Sequence, residues 1–287
     1  MKKIRKLSSL FIRQFAVVLL ISVLLSVAAT GAPPSGISVS ASSAVLMDAS
    51  SGNVLYEKDA HTERPMASTT KIMTALIAIE EYDLKKTVTV SKEAVGVEGS
   101  SVYLYENEKL TMEELVFALM LESANDAATA IAIEIAGSVE EFAELMNEKA
   151  EELGLENTSF ENPHGLDGES HYTTAYDIYL MFQEALKYDA FQEIIGSSEY
   201  YSIFIRDNDK YGIMWQSTNY YHIGEATPPQ DVEVIGGKTG TTDEAGSCLC
   251  LLAKDKYGDS HVSIILNAGD KETLYAEMNK LLSKINN

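Results

Sequence analysis

Residues 65–75 read Pro-Met-Ala-Ser-Thr-Thr-Lys-Ile-Met-Thr-Ala and open a helical pattern that runs from about Ser68 to Tyr82. Ser68 and Lys71 are three residues apart, which puts them on one face of a helix. A hydroxyl is a weak nucleophile until a base takes its proton, and a lysine in a partly desolvated pocket can be that base. The same residues also fit a simpler alternative, in which Ser68 caps the helix and Lys71 is solvated.

A second polar segment, Ser123-Ala124-Asn125, lies between two helical patterns, Thr111–Leu121 and Ala124–Ala136. One explanation is structural, because Ser123 or Asn125 could simply cap the helix that follows. The functional explanation gives Ser123 a role in proton relay and gives Asn125 an amide that binds substrate. On its own, the segment does not decide between them.

The third segment, residues 236–241, reads Gly-Gly-Lys-Thr-Gly-Thr. Its glycines are typical of a turn that leads into an edge strand. A phosphate loop is the alternative, but it would need a helix to follow, and the residues around Cys248 have a strand pattern. Lysine and threonine beside closely spaced glycines also suit the close approach of a peptide, whose carboxylate needs a cation and hydroxyl donors.

In this order, S-x-x-K at residues 68–71, S-x-N at 123–125 and K-T-G at 238–240 match the signature of penicillin-binding proteins and class A β-lactamases. The chain resembles the serine D-alanyl-D-alanine carboxypeptidases, the low-molecular-mass penicillin-binding proteins of peptidase family S11, over roughly Ala41 to Ile285. The segments that carry this resemblance are residues 65–75, 123–128, 162–166, 171–175, 237–242 and 245–249.

The resemblance implies an α+β fold of the β-lactamase/DD-peptidase type. In that fold a five-stranded antiparallel sheet is flanked by helices, an all-helical lobe lies beside it, and the active site lies in the cleft between them. The residue patterns agree, since a hairpin is predicted at Ala44–Tyr56, helices follow in the middle of the chain, and strand patterns return after residue 200. We expect the N-terminal strand pair to join the later strands in one sheet.

The resemblance also implies catalytic roles. Ser68 would attack the carbonyl of the penultimate D-alanine of a peptidoglycan stem peptide that ends in D-Ala-D-Ala. Lys71 would be the base in acylation. Ser123 and Lys238 would pass a proton to the leaving amine, which must be protonated to depart. No cofactor or metal is implied, and β-lactams would be inhibitors.

Substrate binding is implied for a second group of residues. Asn125 would orient the substrate amide, and the hydroxyls of Thr239 and Thr241, with the Lys238 amine, would hold the terminal carboxylate. Gly240 belongs to the same binding strand. The oxyanion would be stabilised by the backbone N–H groups of Ser68 and Thr241. Some relatives also bind the carboxylate with an arginine after K-T-G, and no arginine follows Arg206 here.

Three other functions are alternatives. A class A-like β-lactamase would need a loop glutamate in the pattern Glu-x-x-Leu-Asn, and Asn162-Pro163-His164-Gly165 stands in the corresponding place. A transpeptidase is disfavoured because such enzymes usually carry large extra domains. An inactive wall-binding module would not need an intact nucleophile and its base.

The N-terminus has the pattern of an export signal. Basic residues precede an apolar run, Phe15 to Ala29, and small residues and prolines follow it. We therefore expect residues 1–32 to be a signal peptide and residues 33–287 to be a catalytic domain without a C-terminal β-rich domain. The enzyme would be exported, and it would contact the membrane only if the signal segment stayed uncleaved.

The charge of the chain excludes nucleic acid as a partner. Residues 1–32 contain five basic residues and no acidic ones, so the remaining chain has 17 Lys+Arg against 43 Asp+Glu, and the net charge changes from −21 to −26. Such a surface repels phosphate backbones, which bind through Lys and Arg.

Several residues that could suggest a metal or redox site have a simpler interpretation. His164, Asp167 and His171 lie in one loop region, without a further cluster to supply a supporting metal ligand. Cys248 and Cys250 share one face of a strand but lie too far apart along it for an unstrained disulfide. We expect the histidines to be structural and both cysteines to be buried.

Overall fold

The computed structural model describes residues 36–286, so the signal peptide expected at residues 1–32 lies outside the described residues. The strands in this range are β1 (Ser43–Asp48), β2 (Val54–Lys58), β3 (Thr87–Thr89), β4 (Lys109–Thr111), β5 (Glu199–Arg206), β6 (Asp209–Gln216), β7 (Glu233–Thr242), β8 (Gly246–Lys254) and β9 (Ser260–Ala268). The α-helices are α1 (Lys71–Glu81), α2 (Met112–Leu121), α3 (Asn125–Ala136), α4 (Val139–Leu153), α5 (Ala175–Ala185), α6 (Asp189–Gly196), α7 (Tyr220–Ile223) and α8 (Lys271–Leu282).

The main sheet has five antiparallel strands in the order β2-β1-β9-β8-β7. The first two strands therefore join the last three, which confirms the expected sheet and the α+β class. Side chains alternate across β8, so that Leu249 and Leu251 pack under α8 while Cys248 and Cys250 face the helices on the other side. Burial raises the pKa of both thiols, that of Cys248 to about 12.

The helices α1 to α6 form the second layer and the helical lobe. The hydrophobic core continues from one face of the main sheet through α1 into α2, α3 and α4, with fully buried side chains such as Ile72, Leu119, Ile131 and Phe142. None of the helices within residues 36–286 is long and apolar enough to span a bilayer.

The later strands do not all join the main sheet, contrary to expectation. The hairpin of β5 and β6 belongs to a second sheet of four strands, in the order β3-β4-β5-β6. This hairpin is held against α2, because the Glu114 carboxylate accepts hydrogen bonds from Ser202 Oγ and Ile203 N, both at 2.9 Å. Tyr200 also stacks on Phe117 at 3.8 Å between ring centroids.

The glycine-rich segment at residues 236–241 is a strand and not the turn that its composition indicates. It forms the middle of β7, the edge strand that pairs with β8. The glycines reflect close packing: a Cβ at Gly237 would lie 1.9 Å from Cys250 O, and one at Gly236 would lie 1.8 Å from Ile195 O. Glycine is required there because neighbouring backbones leave no room for a side chain.

Candidate active site

The serine of the first motif lies in a short turn that leads into α1. Ala67–Thr70 form a 3₁₀ turn without a side-chain cap, so the capping alternative for Ser68 is wrong. Ala67, directly before the serine, has a left-handed φ of 47°, a conformation that costs energy for a non-glycine residue and is concentrated at functional sites. Ser68 itself is half-buried, which leaves its hydroxyl within reach of a ligand.

Lys71 is fully buried, so the alternative of a solvated lysine is also wrong. Its Nζ lies 2.9 Å from Ser68 Oγ. It also lies 2.7 Å from Asn125 Oδ1 and 2.5 Å from the His164 carbonyl oxygen. Both of these last partners can only accept a hydrogen bond in this arrangement.

Burial is the main cause that lowers the pKa of Lys71 well below its ordinary value. The positive charge of Lys238 lowers this pKa further, and the negative charge of Asp126 raises it. A neutral lysine amine has two N–H groups and one lone pair. With the two N–H groups donated to Asn125 and His164, the lone pair is left for the hydroxyl proton of Ser68.

A second serine–lysine pair faces the first across the cleft. Lys238 Nζ donates to Ser123 Oγ at 3.0 Å and to the Thr239 carbonyl at 2.9 Å. Lys238 is almost completely buried, and burial lowers the pKa of its amine to about 7. Ser123 has a left-handed φ of 59°, and α3 begins without a side-chain cap, so Ser123 does not act as a helix cap.

Asn125, the first residue of α3, joins the pairs to a neighbouring loop. Its Oδ1 faces Lys71, its Nδ2 donates to the Glu98 carbonyl at 2.6 Å, and its backbone N donates to the Ser100 carbonyl at 2.7 Å. One N–H of the side-chain amide has no further role in these bonds and is available to a ligand.

Strand β7 packs directly against the nucleophile turn. A Cβ at Gly240 would lie 2.9 Å from Ser68 N and 3.1 Å from Ala67 Cβ, so only glycine lets the strand approach so closely. The next residue, Thr241, is exposed. Thr239 Oγ1 lies 2.8 Å from Thr218 Oγ1, and both hydroxyls line a narrow cavity beside the strand.

A loop on the other side fixes the same turn. Gly165, with φ of 92°, lies so close that a Cβ would be 2.0 Å from the Ala67 carbonyl. His171 Nδ1 accepts from the Glu161 backbone N–H at 3.0 Å, so we assign the proton to Nε2, which donates to Thr70 Oγ1 at 2.8 Å. Burial, with a smaller effect of the Lys71 charge, lowers the pKa of His171 to about 4.

All eight residues selected from the sequence lie on the three segments that meet at this cleft. The structure adds neighbours that sequence reasoning did not select: Thr218, Asp126, the backbone carbonyls of Glu98 and His164, and the Thr70–His171 contact. A backbone carbonyl has no sequence signal of its own. The available signal was the segment at residues 162–166, which resembles the family and contains both His164 and Gly165.

The main sheet, the helical lobe and the serine–lysine pairs between them define a protein of the DD-peptidase fold. The structure is similar to that of the DD-transpeptidase from Streptomyces K15, with a TM-score of 0.81 and 27% identity, over 87% of this chain and 98% of that one. It is also similar to the D-alanyl-D-alanine carboxypeptidase DacD from Francisella tularensis, with a TM-score of 0.75 and 26% identity, over 88% of this chain and 71% of that one.

The chain belongs to the D-alanyl-D-alanine carboxypeptidase family, peptidase family S11, whose model matches residues 27–270. It is 38% identical to the D-alanyl-D-alanine carboxypeptidase DacF of Bacillus subtilis, over 84% of this chain and 61% of the relative. It is 35% identical to DacC of Escherichia coli, over 86% of this chain and 61% of the relative. The chain thus spans about three fifths of the length of these curated relatives.

Proposed function

We propose that the protein is a serine D-alanyl-D-alanine carboxypeptidase that removes the terminal D-alanine from peptidoglycan stem peptides. The observation that carries the proposal is the 2.9 Å contact between the half-exposed Ser68 hydroxyl and the fully buried Lys71 amine. A buried amine of lowered pKa is the kind of base that can activate a serine at neutral pH. Family membership supports the substrate class.

Acylation begins when the neutral Lys71 amine takes the Ser68 proton. The serine oxygen then forms a bond to the carbonyl carbon of the penultimate D-alanine, and the carbonyl oxygen becomes an oxyanion. Backbone N–H groups of Ser68 and Thr241 stabilise this oxyanion. Loss of one such donor typically costs about 10²–10³ in rate. The contact of Gly240 with the nucleophile turn supports this role, since it brings β7 against Ser68.

The leaving group departs after it receives a proton. Ser123 Oγ, which accepts a hydrogen bond from the Lys238 ammonium at 3.0 Å, gives its own proton to the amine of the departing D-alanine. The Ser123 oxygen takes a proton back from the Lys238 ammonium. The proton that Lys71 took from Ser68 replaces the one that Lys238 gave, so both lysines end acylation as they began it. The C–N bond breaks, free D-alanine leaves, and the remaining peptide stays bound to Ser68 as an ester. Water then attacks the ester and restores the serine hydroxyl.

Binding of the substrate uses groups on both sides of the cleft. Asn125 offers its remaining amide N–H to the peptide backbone. Lys238, with the Thr239 and Thr241 hydroxyls, binds the terminal carboxylate, which needs a cation and hydroxyl donors. Gly240 lets the peptide lie against the strand. The net charge of the chain is −21, and this charge repels an anionic substrate. The Lys238 amine supplies a local positive charge for the carboxylate.

The same acyl-enzyme explains the proposed inhibition by β-lactams, which would acylate Ser68 and be released slowly. We further propose that residues 33–287 form the catalytic domain and that the enzyme works on the wall side of the bacterial cytoplasmic membrane after export. The relatives from Bacillus subtilis and Escherichia coli are bacterial D-alanyl-D-alanine carboxypeptidases by name, which supports this proposal.

Transpeptidation is a second candidate, because the solved structure from Streptomyces K15 is a DD-transpeptidase of which 98% is covered. That transpeptidase has nearly the same extent as the matched part of this chain, so the expectation that such enzymes usually carry large extra domains does not exclude transpeptidation here. Both reactions share the acyl-enzyme and differ in whether water or an amine accepts the acyl group.

The test is release of D-alanine from a synthetic pentapeptide ending in D-Ala-D-Ala, with and without glycine as an amine acceptor. We expect free D-alanine and tetrapeptide from the wild type and from Ser50→Ala, an exposed serine on a remote turn. Ser68→Ala and Lys71→Met should release none above background. Product that is mainly the glycine adduct would favour the transpeptidase, and equal activity of Ser68→Ala would overturn the proposal.

A further inference from the structure

A buried carboxylate outside the three motifs lies next to the site. Asp126, in the first turn of α3, is completely buried and accepts four hydrogen bonds. Its donors are Ser101 Oγ at 2.6 Å, Leu104 N at 2.9 Å, Ala127 N at 2.9 Å and Val102 N at 3.2 Å. An ionised carboxylate has about four acceptor positions, so this one is saturated.

Three of these donors belong to residues 98–104, which we call the rim segment. The preceding residue of α3, Asn125, holds the same segment through the Glu98 and Ser100 carbonyls. Five hydrogen bonds thus connect the rim segment with Asn125 and Asp126. The side-chain amide of Asn125 is fixed at one end by Glu98, and this leaves its Oδ1 2.7 Å from Lys71 Nζ.

Asp126 also acts on Lys71 through its charge. The groups that face the Lys71 amine are Asp126 on α3, Lys238 on β7, and His164 and His171 on the loop before α5. Burial lowers the pKa of both histidines, to about 3 and about 4, so they are neutral at pH 7. Asp126 is the negative charge that opposes burial and Lys238 in setting the pKa of Lys71.

We propose that Asp126 is a positioning residue of this active site: it fastens the rim segment to α3, holds Asn125 against Lys71, and supplies the negative charge that acts on the buried Lys71 amine. The inference rests on the proposed function of Ser68 and Lys71. The Asp126 carboxylate is completely buried and its acceptor positions are taken up within the protein, so its role is to position other groups.

The test compares Asp126→Asn with Asp177→Asn. Asp177 is a matched control, since it is also a buried carboxylate in the first turn of a helix, where it accepts from Asn157 N at 2.9 Å and Thr158 Oγ1 at 2.8 Å. The readouts are the pH profile of the second-order rate constant for acylation by benzylpenicillin and the hydrogen-exchange rates of the Val102 and Leu104 amides.

For Asp126→Asn we expect acylation about 10–100-fold slower at its optimum, because a displaced base loses its reaction geometry. The acid limb of the pH profile, where the rate constant rises as Lys71 loses its proton, should move to lower pH. Removal of the negative charge of Asp126 lowers the pKa of Lys71. Exchange at Val102 and Leu104 should accelerate. Asp177→Asn should change neither the acid limb nor these two amides. An unchanged limb in Asp126→Asn, or an equal shift in the control, would overturn the inference.

A milder variant covers the case in which Asp126→Asn does not fold. Ser101→Ala removes one bond to Asp126 and keeps its charge, so exchange at Val102 and Leu104 should accelerate while the acid limb stays in place. Unchanged hydrogen exchange at these two amides would contradict the proposal that Asp126 fastens the rim segment to α3. If the wild type does not react with benzylpenicillin, the proposed function fails separately. In that case the pKa of Lys71 is measured directly, by ¹⁵N NMR of Nζ in the wild type and in Asp126→Asn. The expected result is the same: a lower pKa in the variant.

Discussion

At the scale of single residues, the site depends on two lysines, Lys71 and Lys238. Both are buried, but their amines have different hydrogen-bond partners. Lys71 Nζ contacts one hydroxyl and two oxygens that can only accept, so its neutral form has a defined lone pair. Lys238 Nζ donates to Ser123 Oγ and to a backbone carbonyl, which leaves a third N–H for a ligand when the amine is charged. The first environment suits a base and the second suits a proton donor and anion ligand.

A pH dependence follows for Lys238. Its pKa is lowered to about 7 by burial, so the charged form is present below about pH 7 and is lost as the pH rises through that value. We predict that the second-order rate constant for acylation of the free enzyme by benzylpenicillin decreases over this range, since this rate constant reports free-enzyme pKa values.

Lys238→Arg is the matched variant for that prediction. Arginine stays charged at every accessible pH. The variant should therefore react more slowly, because its planar group cannot reproduce the contact with Ser123, but its rate should no longer decrease above about pH 7. The same decrease in Lys238→Arg would show that another group titrates, and Lys238 would not be the anion ligand.

At the scale of elements, helices were predictable from the sequence and β7 was not. The apolar patterns that predicted α1 to α3, with a period of 3.6 residues, need only local information. The glycines of β7 are present because Cys250, Ile195 and Ser68 approach them from other elements. These contacts come from distant parts of the chain. The local composition alone therefore predicts a turn at the same glycines.

The second sheet was missed for a related reason. Its strands β3 and β4 have three residues each, too short for an alternating pattern to stand out. A strand pattern was predicted after residue 200, where β5 and β6 lie, but the group that holds this hairpin is the Glu114 carboxylate on α2. A glutamate in the first turn of a helix indicates a cap, and nothing in the sequence indicates its second role.

Glu114 provides the prediction at this scale. One oxygen completes a capping box with Thr111, and the other accepts from Ser202 and Ile203. Thr111→Ala should lower the free energy of unfolding by about 1 kcal/mol, as for an ordinary cap. Glu114→Ala should lower it by about 1–3 kcal/mol more, because the completely buried Ser202 hydroxyl and the Ile203 backbone N–H lose their acceptor.

Urea denaturation measures both losses, and Ser138→Ala is the control. Ser138 caps α4 at an exposed position, where its Oγ accepts from Glu141 N at 3.1 Å. Ser138→Ala should lower the free energy of unfolding by about as much as Thr111→Ala does. Equal losses for all three variants would mean that the bonds to β5 contribute nothing to stability.

At the scale of the whole molecule, the site is assembled from segments that are far apart in the chain. Residues 68–71, 123–125 and 238–241 meet because β7 packs on the nucleophile turn and α3 starts beside it. The sequence predicted these residues through their resemblance to a family, and the distances between them could not be obtained from spacing. Asp126 was missed because its role depends on the rim segment, which has no motif.

The fold also predicts a global pH dependence of stability. The pKa of His171 is lowered to about 4 and that of His164 to about 3, from an ordinary value of 6.5, mainly by burial. The unfolded chain therefore binds these protons first. Their contribution is complete above about pH 6.5 and is lost as the pH falls through about 4 and about 3.

Comparison with His171→Gln isolates this effect, because the carboxylates titrate in both proteins. Between about pH 6.5 and about pH 4, we predict that the free energy of unfolding decreases more steeply in the wild type than in the variant. Denaturant titrations at several pH values measure it. Parallel curves would mean that His171 is not held neutral in the folded state.

The central claim is that Ser68, activated by Lys71, forms an acyl-enzyme, and intact-mass analysis after incubation with benzylpenicillin tests it most directly. Because the β-lactam ring opens without loss of atoms, we predict that the wild type gains the full mass of one penicillin at Ser68. The adduct should persist for hours and be absent from Ser68→Ala. Rapid hydrolysis of penicillin without a lasting adduct, or an adduct that forms equally on Ser68→Ala, would contradict the claim.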